Sequence, residues 1–183
     1  MPSVLVPLAQ GCEELEAVTV IDLLRRAQID VVTASLDKEP VHASRGTVLI
    51  ADKTLDEALQ QDYDMIVLPG GLPGADHLDA DPRIKKLLKN MSADNKFTAA
   101  ICAAPKVLAS AGLLAGKRAT GFPGVLEKLQ LPDTEIVESP VVIDDKVITS
   151  SGPGTAMDFA LQLIELLSGK DSRNSVEAAL QRP

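Results

Sequence analysis

The stretch Phe97-Thr98-Ala99-Ala100-Ile101-Cys102-Ala103-Ala104-Pro105-Lys106-Val107-Leu108-Ala109-Ser110-Ala111 decides the fold. Its first five residues carry no charge and read as a short buried strand. A lone Cys follows, succeeded by the small Ala103 and Ala104, and Pro105 to Ala111 reads as a helix. A strand that turns sharply into a helix is the repeating unit of a parallel sheet. The unit recurs on both sides. Val4-Leu5-Val6-Pro7-Leu8 is an apolar strand followed by a helix over Glu13 to Ala27. That helix has Leu15, Val18, Ile21 and Leu24 at helical spacing, acids first and Arg25-Arg26 last, in the order the helix dipole favours. Strands are expected at Val31–Ala34 and Met65–Leu68, an irregular strand pair around Gly46 within Val41–Ala51, and a short helix over Leu55–Gln60. Further helices are expected over Pro82–Met91, Ala156–Leu167 and Ser175–Leu180, with strands near Arg118–Thr120, Ile136–Val137, Val141–Ile143 and Val147–Thr149. The alternation predicts an α/β fold, with a mostly parallel central sheet covered by helices on both faces.

The 183 residues suit one domain, expected to span 1–183. Eighteen bases against 26 acids leave a net charge of −8, and the chain has four aromatic residues, one Tyr and three Phe. It lacks the cationic field and the stacking surfaces that nucleic-acid binding uses, so strong binding of that kind is not expected. No apolar run is long enough to span a bilayer, and the N-terminal segment lacks a basic region before its apolar residues, so it reads as a strand and not as a signal peptide. Two Cys far apart make no disulfide framework, and a cytoplasmic location is expected. Cys12, His42, His77 and Cys102 match no metal-ligand spacing, so no metal is expected.

Ligands of parallel sheets bind at the carboxyl ends of the strands. Four unusual loops fall there: Gln10–Glu16, Pro69-Gly70-Gly71, Cys102–Pro105 and Ser150–Thr155. Cys102 stands at a strand-to-helix turn, which would expose its sulfur and place it at a helix N-terminus, so a lowered thiol pKa is expected. The competing reading is an inert buried thiol, common for free Cys. Glu13 and Glu14 read as dipole compensation, whereas Glu16 falls on the face near the sheet edge, either solvated or aimed at the site. Gly70-Gly71 could offer backbone N–H groups to an anion, or form a plain turn; its spacing fits neither G-x-G-x-x-G nor a P-loop, so no nucleotide cofactor is assigned. Thr155 is expected to cap the last long helix. Ser150 and Ser151 lack the G-x-S-x-G context of a serine nucleophile. His42 and His77 read as surface residues, which leaves a Cys-His-Asp triad without its histidine. Cys12 reads as a spare thiol.

The chain resembles the ThiJ/PfpI superfamily, and within it the YajL-type bacterial branch, the group that includes the parkinsonism-linked protein deglycase. The resemblance covers nearly the whole chain. It is carried by Gly11-Cys12-Glu13-Glu14-Leu15-Glu16-Ala17, Val67-Leu68-Pro69-Gly70-Gly71, Ala99-Ala100-Ile101-Cys102-Ala103-Ala104-Pro105 and Thr149-Ser150-Ser151-Gly152-Pro153-Gly154-Thr155, in the family's order and spacing. It implies a flavodoxin-like three-layer sandwich and a homodimer. It places Cys102 on the family's reactive cysteine, Glu16 on the carboxyl that hydrogen-bonds it, and Gly71 and Ala103 on the backbone N–H pair of an anion pocket. Animal members often carry His in the loop that here reads Thr120-Gly121-Phe122-Pro123. Phe122 stands there instead, as in the YajL-type branch, which leaves Glu16 as the evident acid/base partner. The family's Arg before Gly-Pro-Gly is Ser151 here.

The resemblance implies a cofactor-free cysteine hydrolase, a deglycase or glyoxalase acting on methylglyoxal- or glyoxal-derived adducts of thiols, amines or proteins, with an oxidative-stress role. The rival reading is a redox-responsive chaperone or sensor built on the same cysteine, and a third is an intracellular peptidase.

Overall fold

The computed structural model describes residues 1–182. In chain order the elements are β1 (Ser3–Leu8), α1 (Glu14–Arg26), β2 (Asp30–Ser35), β3 (Val41–His42), β4 (Val48–Leu49), β5 (Lys53–Thr54), α2 (Leu55–Ala58), β6 (Met65–Leu68) and α3 (Gly74–Ala80). They continue with α4 (Pro82–Ala93), β7 (Phe97–Ile101), α5 (Pro105–Ser110), β8 (Arg118–Ala119), β9 (Glu135–Ile136), β10 (Val141–Asp144), β11 (Val147–Ser150), α6 (Ala156–Ser168) and α7 (Lys170–Ala179).

Seven strands form one sheet in the order β10-β11-β7-β6-β1-β2-β5. All neighbours are parallel except β10 and β11. Period-2 alternation sorts the central strands onto two faces. Val4, Val6, Met65, Val67, Ala99 and Ile101 pack against Ala17, Val20 and Leu24 of α1 and Phe159, Leu163 and Ile164 of α6. Leu5, Ile66, Leu68 and Ala100 pack against Leu55 of α2, Ile84 and Leu88 of α4 and Val107 and Leu108 of α5. The result is the three-layer α/β sandwich of flavodoxin-like proteins.

Local signals set several boundaries. Asp81 caps α4 by accepting the Arg83 N–H at 2.9 Å, with Pro82 at the first helical position. Thr54 and Glu57 form a capping box at α2. The irregular pair around Gly46 is the antiparallel hairpin β3–β4. Three details differ from the sequence reading. Residues 118–119 and 135–136 pair with each other in parallel, outside the main sheet. The short edge strand β5 and the helix α3 carry no periodic signal, because one is two residues long and the other follows Pro73-Gly74, which read as breakers. Finally, Leu15 and Val18 are about half exposed, and α1 buries Glu16, Ala17, Val20, Leu23 and Leu24 instead. The sheet-facing stripe of α1 is therefore rotated from the Leu15-Val18-Ile21 series.

The carboxyl ends of β11, β7, β6 and β1 are neighbours in the sheet, so their four loops share one edge. Two of these loops interlock. The Glu13 N–H donates to the Gly70 carbonyl at 2.9 Å, and the Gly74 N–H to the Gly11 carbonyl at 3.3 Å. A Cβ at Gly71 (φ +85°) would stand 2.4 Å from Glu13 N, and one at Gly74 would stand 2.6 Å from Cys12 Cα. Gly112 has nearly the same φ (+82°) but nothing within 4 Å of its Cβ position. Gly112→Ala should therefore cost only the left-handed penalty, about 1–2 kcal/mol. Gly71→Ala should add an overpacking cost of about 1–3 kcal/mol. Urea unfolding of both variants should rank Gly71→Ala clearly lower.

Candidate active site

Cys102 follows directly on β7 and adopts φ +63°, a left-handed conformation that non-glycine residues rarely take. Its neighbours hold it there. The Cys102 N–H donates to the Ser150 carbonyl at 2.9 Å, and the Phe122 N–H donates to the Cys102 carbonyl at 2.7 Å. A left-handed residue costs about 1–3 kcal/mol and persists where the surroundings over-determine it, commonly at functional sites. The turn leaves Cys102 8% exposed at the end of a strand whose four preceding residues, Thr98 to Ile101, are buried.

Glu16 sits in the first turn of α1 and is fully buried. Its Oε2 accepts the Gly70 N–H at 2.8 Å. Its Oε1 is buried with no partner of standard geometry among the described residues. The Cys102 thiol is the side chain that interacts with this carboxyl, lowering the Glu16 pKa and raising its own. A Cβ at Gly70 would lie 2.7 Å from both Cys102 Cβ and Glu16 Oε2, so glycine there is what lets thiol and carboxyl meet. The sequence reading of Gly70-Gly71 as a possible N–H donor pair missed this steric role.

Burial dominates the electrostatics. It pushes Glu16 up to about 7, against the opposing pull of the Cys102 and Gly70 hydrogen bonds. Burial, the Glu16 charge and the hydrogen bond to Glu16 push the Cys102 thiol up to about 12. The Gly71 and Ala103 N–H groups pull the thiol the other way, as expected of an anion pocket, and are outweighed. The lowered thiol pKa expected from a helix N-terminus is thus corrected. The helix α5 has only six residues and begins at Pro105, and burial followed by the Glu16 charge raises the thiol. Cys12 is fully buried and burial pushes its thiol up to about 11 as well.

The remaining candidates fall as follows. Glu13 and Glu14 do more than complement a dipole: Glu14 accepts the Arg45 and Thr47 N–H groups, and both accept the Ser44 hydroxyl, pinning the β3–β4 hairpin to α1. Glu13 is nearly buried, contrary to a solvent-facing placement. Thr155 precedes α6 without capping it; its hydroxyl contacts Ser150 Oγ at 2.6 Å and accepts the Gly152 N–H at 3.2 Å, bracing the loop beside Cys102. Phe122 is half exposed, with its ring 3.5 Å from the Cβ position of Gly152. His42 and His77 are exposed. Among the described residues no three metal-ligating side chains converge, and no helix is long and apolar enough to cross a membrane.

A cysteine on a strained strand-to-helix turn, with a buried carboxyl and two backbone N–H groups beside it, stands at the carboxyl edge of this α/β sheet. Residues 2–166 match the DJ-1/PfpI family, and the chain belongs to it. It is 42% identical to the Parkinson disease protein 7 homolog of Danio rerio over 179 residues, 96% of this chain and 95% of that one. It is 36% identical to the glutathione-independent glyoxalase DJR-1.2 of Caenorhabditis elegans over 167 residues, 91% of this chain and 89% of that one. Protein DJ-1 homolog A of Arabidopsis thaliana is 43% identical over 97% of this chain, which spans only 46% of the plant protein's length. The crystal structure of Drosophila melanogaster DJ-1beta superposes with a TM-score of 0.94 at 39% identity, covering 100% of this chain and 98% of that one. Oxidized DJ-1 of Toxoplasma gondii gives 0.93 at 41% identity, covering 98% of each chain.

Because the Glu16 pKa is raised in the folded protein, its contribution to stability is fully present below the usual carboxylate value of 4.5 and is lost as pH rises through about 7. Glu14, Asp52 and Asp81 are shifted downward, so their contributions change only at more acidic pH. Urea unfolding from pH 5 to 8 should show wild-type stability falling relative to Glu16→Gln across this window. Parallel curves would show that Glu16 titrates normally.

Proposed function

We propose that the protein is a cysteine-dependent, cofactor-free hydrolase of reactive-carbonyl adducts, a glyoxalase or deglycase, with Cys102 as nucleophile and Glu16 as proton carrier. The observation that carries this reading is the pairing of a strained Cys102 with the buried, half-partnered Glu16 carboxyl. The glyoxalase named among its relatives supports the reaction class.

The chemistry follows from the pKa order. Near neutral pH the sulfur keeps its proton and Glu16 is partly ionised. Glu16 therefore acts first as a base: it takes the thiol proton as Cys102 Sγ bonds to the aldehyde-derived carbon. In a free aldehyde the carbonyl oxygen takes up the charge and is held by the Gly71 and Ala103 N–H groups. In an adduct the carrier thiol or amine departs with a proton. The resulting hemithioacetal carries a hydroxyl next to a ketone. Glu16 moves the C–H proton from the first carbon to the second while the hydroxyl proton passes from the first oxygen to the second, which turns the first carbon into a thioester carbonyl and the ketone into an alcohol. Water cleaves the thioester, releasing a 2-hydroxy acid and restoring the thiol. No electrons enter or leave.

A second reading, a redox sensor or chaperone, is favoured by the relative solved in its oxidized form. Peroxide would convert Cys102 to a sulfinate, whose oxygens the same N–H groups and a protonated Glu16 would hold. The peptidase reading gains no support, since both histidines sit on exposed positions of β3 and α3.

Steady-state assay of methylglyoxal and its thiol adducts separates the two. Cys102→Ser should abolish turnover, and Glu16→Gln should lower kcat roughly 10²–10⁴-fold with the fold retained. Wild-type protein without catalytic cycles would leave the sensor reading. We also propose a homodimer. Leu15 and Val18 are about half exposed, Ile50 is 85% exposed, and Val18, Ile21 and Ile50 line one hollow rimmed by Asp22, Arg25 and Asp52, a mixed surface with exposed apolar side chains that a second copy can cover. Light scattering at micromolar concentration should give twice the chain mass, and Val18→Glu should halve it.

A further inference from the structure

Beside the Cys102 loop lies a groove of about 600 Å³ that the mechanism above leaves unused, walled by Gly121, Glu127, Ile136, Glu138, Pro140 and Ser151. Its walls join the site through the backbone. Gly121 precedes Phe122, whose N–H holds the Cys102 carbonyl, and a Cβ at Gly121 would lie 3.3 Å from that carbonyl oxygen. Ser151 follows Ser150, whose carbonyl accepts the Cys102 N–H. The groove thus flanks the Cys102 turn on the side of its backbone carbonyl, where the part of a substrate that does not react with Cys102 can lie.

The groove has one sign of charge. Glu127 and Glu138 line it, and no Lys, Arg or His does. Both acids are exposed, and neither forms an ion pair among the described residues, whereas nearby Glu135 faces Arg118 at 3.7 Å. Ser151, next to the carbonyl that holds the Cys102 N–H, is uncharged, so the wall offers an anionic carrier no cation. Same-sign charges in a cleft raise the local concentration of counter-charged ligands and repel like-charged ones.

We propose that Glu127 and Glu138 are specificity-determining residues that make the site select reactive-carbonyl adducts on cationic carriers, such as basic peptides. Adducts on anionic carriers, such as nucleotides or acidic thiols, are turned away. This rests on the reading of Cys102 as the nucleophile, but it concerns who reaches the sulfur and not what the sulfur then does.

Charged thiol reagents of matched size test approach separately from turnover. Cys102 is treated with cationic, anionic and neutral methanethiosulfonates, and the mixed disulfide at Cys102 is followed by peptide mass spectrometry. In each reaction the sulfur displaces a sulfinate. The ratio of cationic to anionic rates, each normalised to the neutral reagent, should fall roughly 3–10-fold from wild type to the double variant Glu127→Gln/Glu138→Gln. It should stay constant in Asp22→Asn, which removes one charge from α1. The wild-type preference should shrink in about 1 M salt, where screening acts within ~3 Å. An unchanged ratio in the double variant would overturn the proposal. Turnover of the neutral 2-mercaptoethanol adduct of methylglyoxal, measured alongside on wild type, reads the hydrolase activity by itself. Its absence would count against the hydrolase reading and leave the reagent ratios to decide the groove.

Discussion

The hydrogen bond from the Gly70 N–H to Glu16 Oε2, 2.8 Å long and wholly buried, is the contact around which the site is built. A carboxyl removed from water needs partners, and an unpaired buried one is costly. Here one oxygen is satisfied by a backbone donor and the other is left beside a thiol. That arrangement demands glycine at position 70, since any Cβ would strike the carboxyl oxygen and Cys102 Cβ at once. It also demands that α1 begin close to the end of β6, which the Glu13 N–H to Gly70 carbonyl bond enforces. A single contact thus links α1, the end of β6 and the Cys102 turn.

The same contact explains why the thiol is not acidic by default. Placing two acids side by side in an apolar pocket favours the protonated form of each. The backbone donors of Gly71 and Ala103 stabilise negative charge at the sulfur but do not outweigh burial and a neighbouring carboxylate. Such a pair is suited to handing a proton back and forth during a reaction, since Glu16 titrates near neutral pH while the sulfur remains protonated. A site designed only to display a thiolate would have put a cation where Glu16 stands.

The strain at Cys102 and the interlocked glycine loops belong to one economy of space. The left-handed turn lifts the sulfur out of the sheet, and the loops around Gly11, Gly71 and Gly74 close over the edge without side chains between them. Bracing comes from the Ser150 carbonyl and from Thr155, whose hydroxyl serves its own loop and not the helix it precedes. The groove beside Gly121 and Ser151, in contrast, is lined by Glu127 and Glu138 and by no basic residue.

What the sequence by itself determined was periodic or strongly punctuated. Alternating apolar strands and helical runs led to a parallel α/β sheet, and a lone Cys between a short apolar strand and Ala103-Ala104 marked the turn that the structure places at the end of β7. The motifs of the family resemblance led to Glu16, Gly71 and Ala103, which the structure gathers beside Cys102. Tertiary structure alone decided what depends on distance. It set the direction of the Cys102 pKa, because burial and a carboxyl brought in from a residue 86 positions away outweigh the Gly71 and Ala103 N–H groups. It set which stripe of α1 faces the sheet, because Leu15 and Val18 obey helical spacing as well as Ala17 and Val20 do, and only packing against α6 distinguishes the two faces. It also gave Glu13, Glu14 and Thr155 their roles as loop ties, since their partners lie in loops that local sequence signals cannot position.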